Sequence, residues 1–219
     1  MPALVSAGLS TIAVRMPNHP MALELLNAVG EPIAAPSANK SGRISPTSAH
    51  HIEEGMADLV LDGGPCTVGL ESTVLDLTSD SPRILRPGTI TAEEIASVIG
   101  NVVPYSKICD AAGSPGLKHT HYAPQLKMIL VNPDQWETIL PEWLSSGKSL
   151  GIISLYKKDF REQVSYVRVM THLIDFSKNL FSALYEAETA GVEVLLVETV
   201  AKEGLGIAIM DRLERGAEL

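Results

Sequence analysis

The 219-residue chain is 45% hydrophobic and 20% charged, the composition of a globular protein long enough for two small domains. Its net charge of −9 argues against stable RNA binding by the chain alone, although one anionic small molecule needs only a few well-placed cations. With no apolar run of ~18 residues, no basic leader and only Cys66 and Cys109 for disulfides, the sequence indicates a cytoplasmic protein that does not cross a membrane.

Short β-rich runs alternate with helical ones in the first hundred residues. Val, Ile and Leu are enriched in each run, which favours strands. The predicted strands are Ser10–Val14, Pro32–Ala35, Asp58–Asp62, Thr73–Leu77 and Arg83–Arg86.

Three helices are predicted between these strands. The segment His19–Val29 has leucines at helical spacing, and Gly30 is placed to end it. A second helix is predicted to begin at Ser45, because Pro46 would occupy its first position, where a missing N–H costs nothing. The segment Thr91–Glu94 has the pattern of a capping box and begins a third helix.

Residues 102–125 lack periodicity and are interrupted by proline and glycine, so they form a predicted linker between residues 1–101 and 126–219. The last segment alternates strands with helices, which predicts a small, largely parallel, Rossmann-like sheet. The predicted strands are Leu126–Val131, Leu150–Leu155, Ser165–Val169 and Glu193–Glu198, and the helices are Pro133–Ser146, Ser177–Ala190 and Ile207–Arg215.

The segment Ala35–Gly42 is the first candidate for a binding site. It follows an apolar run, and small hydroxyl and amide residues at the carboxyl end of a strand allow backbone N–H groups to approach an anion. Ser37 and Ser45 could donate to phosphate oxygens, and a helix beginning near Ser45 would add partial positive charge. The alternative is a capped turn with Ser45 as the N-cap, and spacing alone favours that alternative.

Two arginines and a serine are further candidates. Arg15 ends a predicted strand and can bind a carboxylate or a phosphate, or simply pair with a surface acid. Ser72 follows a glycine-containing loop at the start of a strand, where its hydroxyl would face a cleft. Arg83 and Arg86 have odd spacing in one strand and so project to opposite faces, which allows one to reach a site while the other stays solvated. His119 and His121 lack further ligands, so no metal site is predicted.

Together, these motifs resemble those of threonylcarbamoyl-AMP synthases over essentially the whole chain. The linker and the last segment resemble the longer form of that family. The resemblance implies an α/β fold, in which a partial YrdC-like twisted α/β sheet domain is followed by a small Rossmann-like α/β domain. The motifs are Thr11–Pro17, Ala35–Gly42, Glu71–Val74, Arg83–Gly88, Ser114–Gly116, His121–Pro124 and Gly204–Ala208.

The resemblance also implies an activity. The family joins L-threonine, bicarbonate (or CO2) and ATP, with Mg²⁺, into threonylcarbamoyl-adenylate and pyrophosphate. A separate complex then transfers the threonylcarbamoyl group to tRNA, so tRNA is only an indirect partner. The carbamate attacks the α-phosphorus, so the site must position groups and neutralise charge, and it needs no covalent nucleophile.

Site residues follow from the same resemblance. Tyr122, in the linker, would reach over the nucleotide, so that the linker acts as a lid that excludes water. Arg15 would meet the threonine carboxylate. The ATP contacts implied are Thr11, Ser37, Ser45, Arg86 and Tyr122, and the threonine contacts are Arg15, the backbone at Ala35, and Ser72.

One departure from the family pattern concerns the front of the catalytic domain. Family members carry a Thr-rich turn and a Lys-x-Arg segment there, and this sequence contains neither. We therefore expect little synthase activity from the chain alone, unless a second chain supplies the missing half. Two alternatives are a nucleotide- or RNA-binding module without turnover and a fragment that self-associates through exposed sheet edges.

Overall fold

The computed structural model describes residues 5–6, 8–106, 122–155, 160 and 164–217. Within these residues, no helix is both long enough and apolar enough to cross a membrane. The helices are α1 (Pro20–Val29), α2 (Ala92–Ile99), α3 (Trp136–Leu144), α4 (Leu173–Thr189) and α5 (Leu205–Ala217), with a short 3-10 helix at Ala49–His51. The strands are β1 (Val74–Asp76), β2 (Arg83–Arg86), β3 (Lys127–Val131), β4 (Leu150–Leu155), β5 (Tyr166–Met170) and β6 (Val194–Glu198).

The last hundred residues form a parallel four-stranded sheet in the order β3-β6-β4-β5. Successive side chains alternate between its faces. On one face Ile152 and Leu196 pack in a cluster with Trp136 of α3, and on the other Ile153 packs with Phe181 of α4 and other residues of α4 and α5. The result is a sheet covered by helices on both faces, as the alternating pattern predicts.

Helix ends in the structure follow local chemistry. Gly30 ends α1 with a φ of 71°, and Thr91 and Glu94 cap α2 through both bonds of a capping box. The helix α4 begins four residues before its predicted start at Ser177, because the His172 side chain accepts a hydrogen bond from the N–H of Asp175. Histidine is not among the usual capping residues, which explains the shift.

Residues 8–106 contain less regular structure than the sequence predicts. The strands β1 and β2 pair in antiparallel fashion, close to their predicted bounds. The predicted strands Ser10–Val14, Pro32–Ala35 and Asp58–Asp62 are wrong, because no described segment pairs with them there. β-branched residues favour a strand only when a neighbour receives the backbone hydrogen bonds.

The predicted α-helix beginning at Ser45 is also wrong, because the helical structure described just after Ser45 is the short 3-10 helix at Ala49–His51. Tertiary contacts hold this segment instead. Ile44 is fully buried in the cluster of α4 and α5, and the Tyr185 hydroxyl donates to the Ile44 carbonyl at 2.8 Å. Thr47 is also buried, and its hydroxyl lies 2.9 Å from that of Ser182 in α4. These contacts outweigh a weak helix propensity.

Candidate functional site

Ser72, two residues before β1, is the point where two arginines meet. Nη1 of Arg15 donates to the Ser72 hydroxyl at 3.2 Å. Arg86, at the end of β2, donates to the Ser72 carbonyl through Nε at 3.3 Å and Nη2 at 2.9 Å. Two guanidinium groups held at one exposed serine concentrate positive charge on the surface of an acidic chain, which favours an anionic ligand.

Arg86 is partly buried, whereas Arg83, three residues earlier, is exposed. This difference agrees with the predicted projection to opposite faces. Burial lowers the pKa of Arg86 from its ordinary value, and the nearby Arg212 and Arg15 cations act in the same direction. An arginine stays protonated under such conditions, and reduced screening strengthens its attraction for an anion.

Glu71 precedes Ser72 and connects it to two other parts of the chain. The Ser45 hydroxyl donates to Oε1 of Glu71 at 2.6 Å, and Nε of Arg212 in α5 donates to Oε2 at 2.9 Å. Since no α-helix begins at Ser45, the partial positive charge expected there from a helix N-terminus is absent from this part of the structure. The Ser45 side chain is instead connected to the residue next to Ser72 through its bond to Glu71.

Tyr122 lies in the interior, with only 3% of its surface exposed. Its ring centroid is 5.6 Å from that of Phe181 and 5.1 Å from the guanidinium carbon of Arg212. Burial raises the pKa of Tyr122. Its backbone has a φ of 65°, a left-handed conformation that non-glycine residues rarely adopt and that is associated with functional sites. Residues 107–121 of the predicted lid, which spans residues 102–125, lie outside the described residues.

The Ala35–Gly42 segment forms a loop with a second left-handed residue, Ala38, at a φ of 55°. Nδ2 of Asn39 bridges the Lys40 and Arg43 carbonyls at 2.8 and 3.1 Å and so shapes the loop. Ala35 and Ser37 are exposed, as is Thr11. Among the described residues, no hydrogen bond joins these three to Glu71 or Ser72. The structure therefore brings together five of the eight candidates, namely Arg15, Ser45, Ser72, Arg86 and Tyr122.

Arg212 is the residue of this site that the sequence argument did not identify. It lies on α5 in the same stripe as Ile209 and Ala208, both fully buried. An arginine on the apolar face of a helix is unusual, and this feature of the sequence could have identified Arg212. Its acceptors Glu71 and Pro87 are 141 and 125 residues away in sequence, so helical spacing alone does not name them.

The described residues were not found to offer a cluster of metal-ligating side chains. They contain no group of three or more histidine, cysteine, aspartate or glutamate side chains that could hold a metal ion. His119 and His121 lie outside the described residues. Cys66 is an exposed residue, but neighbouring atoms partly desolvate its thiol and so raise its pKa. The thiol is therefore not activated as a thiolate ligand or nucleophile.

Two family models match the chain in succession. One, described as "Telomere recombination", covers residues 1–88. The other, described as "Threonylcarbamoyl-AMP synthase, C-terminal domain", covers residues 90–218. The division into residues 1–101, a linker at 102–125 and residues 126–219 stays a prediction.

Relatives of the chain are similar along its whole length. The threonylcarbamoyl-AMP synthase of Pyrococcus abyssi is 40% identical over 230 residues, which cover 99% of this chain and 67% of the relative. The Bacillus subtilis enzyme of the same name is 38% identical over 224 residues, covering 97% and 65%. A solved structure, P. abyssi Sua5 complexed with L-threonine, matches with a TM-score of 0.89 at 38% identity, covering 99% of this chain and 66% of that one. The expected α/β fold is confirmed, and the chain spans about two thirds of its relatives' length.

Proposed function

Because this chain belongs to the threonylcarbamoyl-AMP synthase family, we propose that it binds ATP and L-threonine and forms threonylcarbamoyl-adenylate and pyrophosphate with bicarbonate or CO2. The observation that carries this proposal is the meeting of Arg15 and Arg86 at Ser72. Both substrates are anionic, one through a carboxylate and the other through phosphates. A pair of arginines on one residue can hold two such anions side by side.

Arg15 takes the threonine carboxylate in this proposal, with Ser72 and the backbone at Ala35 beside it. A guanidinium fork matches a carboxylate with two parallel hydrogen bonds. The exposed position of Arg15 leaves room for a small amino acid. The P. abyssi structure complexed with L-threonine supports this half of the proposal through overall similarity.

Arg86 takes a phosphate of ATP, with Ser45 close by through Glu71. The exposed hydroxyls of Thr11 and Ser37 complete the proposed set with Tyr122. In the reaction, a carbamate oxygen of N-carboxythreonine attacks the α-phosphorus. The bond from the α-phosphorus to the bridging oxygen breaks, and pyrophosphate leaves with that oxygen. Positive charge held in place stabilises the phosphate oxygens without a covalent enzyme intermediate.

Mg²⁺ enters this proposal only as a companion of ATP. Magnesium in nucleotide sites takes much of its coordination from phosphates and water, with few protein carboxylates. The donor set of the described residues fits that role and not a metal cage of protein ligands. Its role in the proposal is to screen the charge of the phosphates.

The product is a labile mixed anhydride, so a separate tRNA-modifying complex is the proposed consumer. The net charge of −9 fits a chain that meets tRNA only indirectly. The linker containing Tyr122 is proposed to limit water access, which protects both the carbamate and the anhydride.

Isothermal titration calorimetry with ATP and with L-threonine tests the binding, and a pyrophosphate-release assay tests the reaction. We expect the chain to bind both ligands. Pyrophosphate release should require threonine, bicarbonate and ATP together, and it should be slow, in line with the expectation of little synthase activity from the chain alone. Binding of ATP without release would instead support the nucleotide-binding module without turnover. Binding of neither ligand would overturn the proposal.

A further inference from the structure

We propose that Arg212 is a positioning residue through which the last segment of the chain holds the site in shape. The functional part of this inference rests on the proposed function, whereas the contacts of Arg212 are observed independently of that function. The Arg212 side chain has no exposed surface. Among the described residues, its acceptors lie either next to it on α5 or on the segments that carry the candidate site.

The guanidinium of Arg212 connects three separate segments. Nε donates to Oε2 of Glu71 at 2.9 Å, and Nη2 donates to the Pro87 carbonyl at 2.9 Å. Its face lies over the Tyr122 ring at 5.1 Å. Glu71 adjoins Ser72, Pro87 adjoins Arg86, and Tyr122 is itself a candidate. One planar group therefore fixes the neighbours of the proposed ATP and threonine contacts.

A network on α5 holds Arg212 in that orientation. Nη1 of Arg212 donates to Oδ2 of Asp211 at 2.7 Å. Oδ1 of Asp211 accepts from Nε of Arg215 at 3.0 Å and from the Tyr105 hydroxyl at 2.9 Å. Burial opposes the charge of Arg212, but Tyr122, Glu71 and Asp211 outweigh it and hold its pKa above the ordinary arginine value. The cation is therefore permanent and fixed.

The segments that this network joins also pack against one another through buried apolar side chains. Ile44 and Leu70 of the front segment lie in the same buried cluster as Ile209 and Leu213 of α5. A Cβ on Gly88 would lie 2.2 Å from the Thr73 backbone N, so the segment that follows β2 lies directly against the residue before β1. Holding the Pro87 carbonyl and Glu71 together therefore sets the spacing between β1 and the loop after β2.

If Arg212 only stabilised the fold, apolar side chains could take its place. Replacing a buried ion pair with well-packed apolar side chains is often neutral or stabilising. The fork at Arg212 instead pairs with a carboxylate and a carbonyl that flank Ser72 and Arg86. A charged residue with these acceptors is what positioning of a polar site requires.

Hydrogen–deuterium exchange on the ligand-free chain tests the inference without requiring ATP binding. In Arg212→Met we expect exchange to accelerate by about tenfold in residues 69–74 and 84–88, while β4 and β6 keep their protection. The matched control is Arg168→Met on β5, whose guanidinium is partly exposed and pairs with Glu186. It should leave residues 69–74 and 84–88 unchanged.

Titration calorimetry provides the functional measurement. Arg212→Met should weaken ATP binding by about tenfold or more, and Arg212→Lys should recover part of that loss, because lysine keeps the charge but loses the fork. If Arg212→Met does not fold, Glu71→Gln removes the same ion pair from the less buried side and should give the same local exchange. Unchanged exchange in residues 69–74 and 84–88 of a folded variant would overturn the inference, as would faster exchange spread equally over β4 and β6. If the unsubstituted chain binds no ATP, the proposed function fails while the exchange result still decides on Arg212.

Discussion

Arg15 and Ser72 are 57 residues apart in sequence, yet Nη1 of Arg15 lies 3.2 Å from the Ser72 hydroxyl. We predict that Arg15→Lys weakens L-threonine binding by about tenfold, because lysine keeps a charge but cannot form two parallel bonds to a carboxylate. ATP affinity should change less. Calorimetry with each ligand measures both effects, and Arg83→Lys, an exposed arginine outside the site, is the matched control. Equal losses for the two lysine variants would contradict the assignment.

Arg86 and Arg83 offer a second comparison within one strand. Arg86→Gln should weaken ATP binding by about tenfold or more, because a partly buried cation facing phosphates is poorly screened. Arg83→Gln should stay within about twofold, since its side chain is exposed to solvent. Raising the salt concentration should weaken ATP binding to the unsubstituted chain more than to Arg86→Gln. Identical salt dependence would argue against a phosphate contact at Arg86.

Ile44 is fully buried against α4 and α5, so truncating it should destabilise the whole chain. Ile44→Ala is expected to lower the free energy of unfolding by about 2–5 kcal/mol through lost burial and a residual cavity. Val14→Ala, at a position that is 86% exposed, should change it by less than about 0.5 kcal/mol. Urea denaturation followed by tryptophan fluorescence measures both. Similar small effects would mean that the front segment does not pack on the last one.

Gly69 and Gly64 have nearly the same φ, 82° and 81°, but different surroundings. A Cβ at Gly69 would lie 2.2 Å from the Lys178 carbonyl oxygen, whereas nothing lies within 4 Å of one at Gly64. Gly64→Ala should cost only the left-handed strain of about 1–2 kcal/mol. Gly69→Ala should cost about 1–3 kcal/mol more, because the loop must move away from α4. Thermal and urea unfolding provide the comparison, and equal costs would contradict the close approach.

His51 stacks on Tyr185 at a centroid distance of 4.0 Å and lines a surface groove beside α4. Burial lowers the pKa of His51, with His50 acting in the same direction and Glu186 opposing both. The unfolded chain therefore binds this proton more readily than the folded one. Neutral His51 therefore contributes to the free energy of unfolding in full above the pKa of the unfolded chain, about 6.5. This contribution is lost as pH falls through the lower pKa of His51 in the folded chain.

The lowered pKa of His51 predicts that the stability of the chain depends on pH. The difference in free energy of unfolding between the unsubstituted chain and His51→Gln should shrink as pH falls from about 7.5 to about 5. Urea denaturation at several pH values measures it. A difference that is constant or grows toward acid pH would contradict the lowered pKa.

The sequence by itself determined the elements whose stability is local or whose pattern is strong. The capping box at Thr91, the terminating Gly30 and the apolar run predicted as the strand Glu193–Glu198 all follow from short-range chemistry, and all are present, the strand as Val194–Glu198. The order of the motifs also determined the family. These features were predictable because the period of the hydrophobic residues and the capping residues depend only on neighbours a few positions away in sequence.

Only the tertiary structure decided which segments find partners. Pro32–Ala35 has strand propensity but no described neighbour to pair with, and Ser45 begins no α-helix because Ile44 is held in the core of α4 and α5. The Arg212–Glu71 pair spans 141 residues, and no local pattern specifies which carboxylate a buried arginine will meet. Burial and long-range pairing depend on the completed fold, so the residues that hold this site in place became identifiable only there.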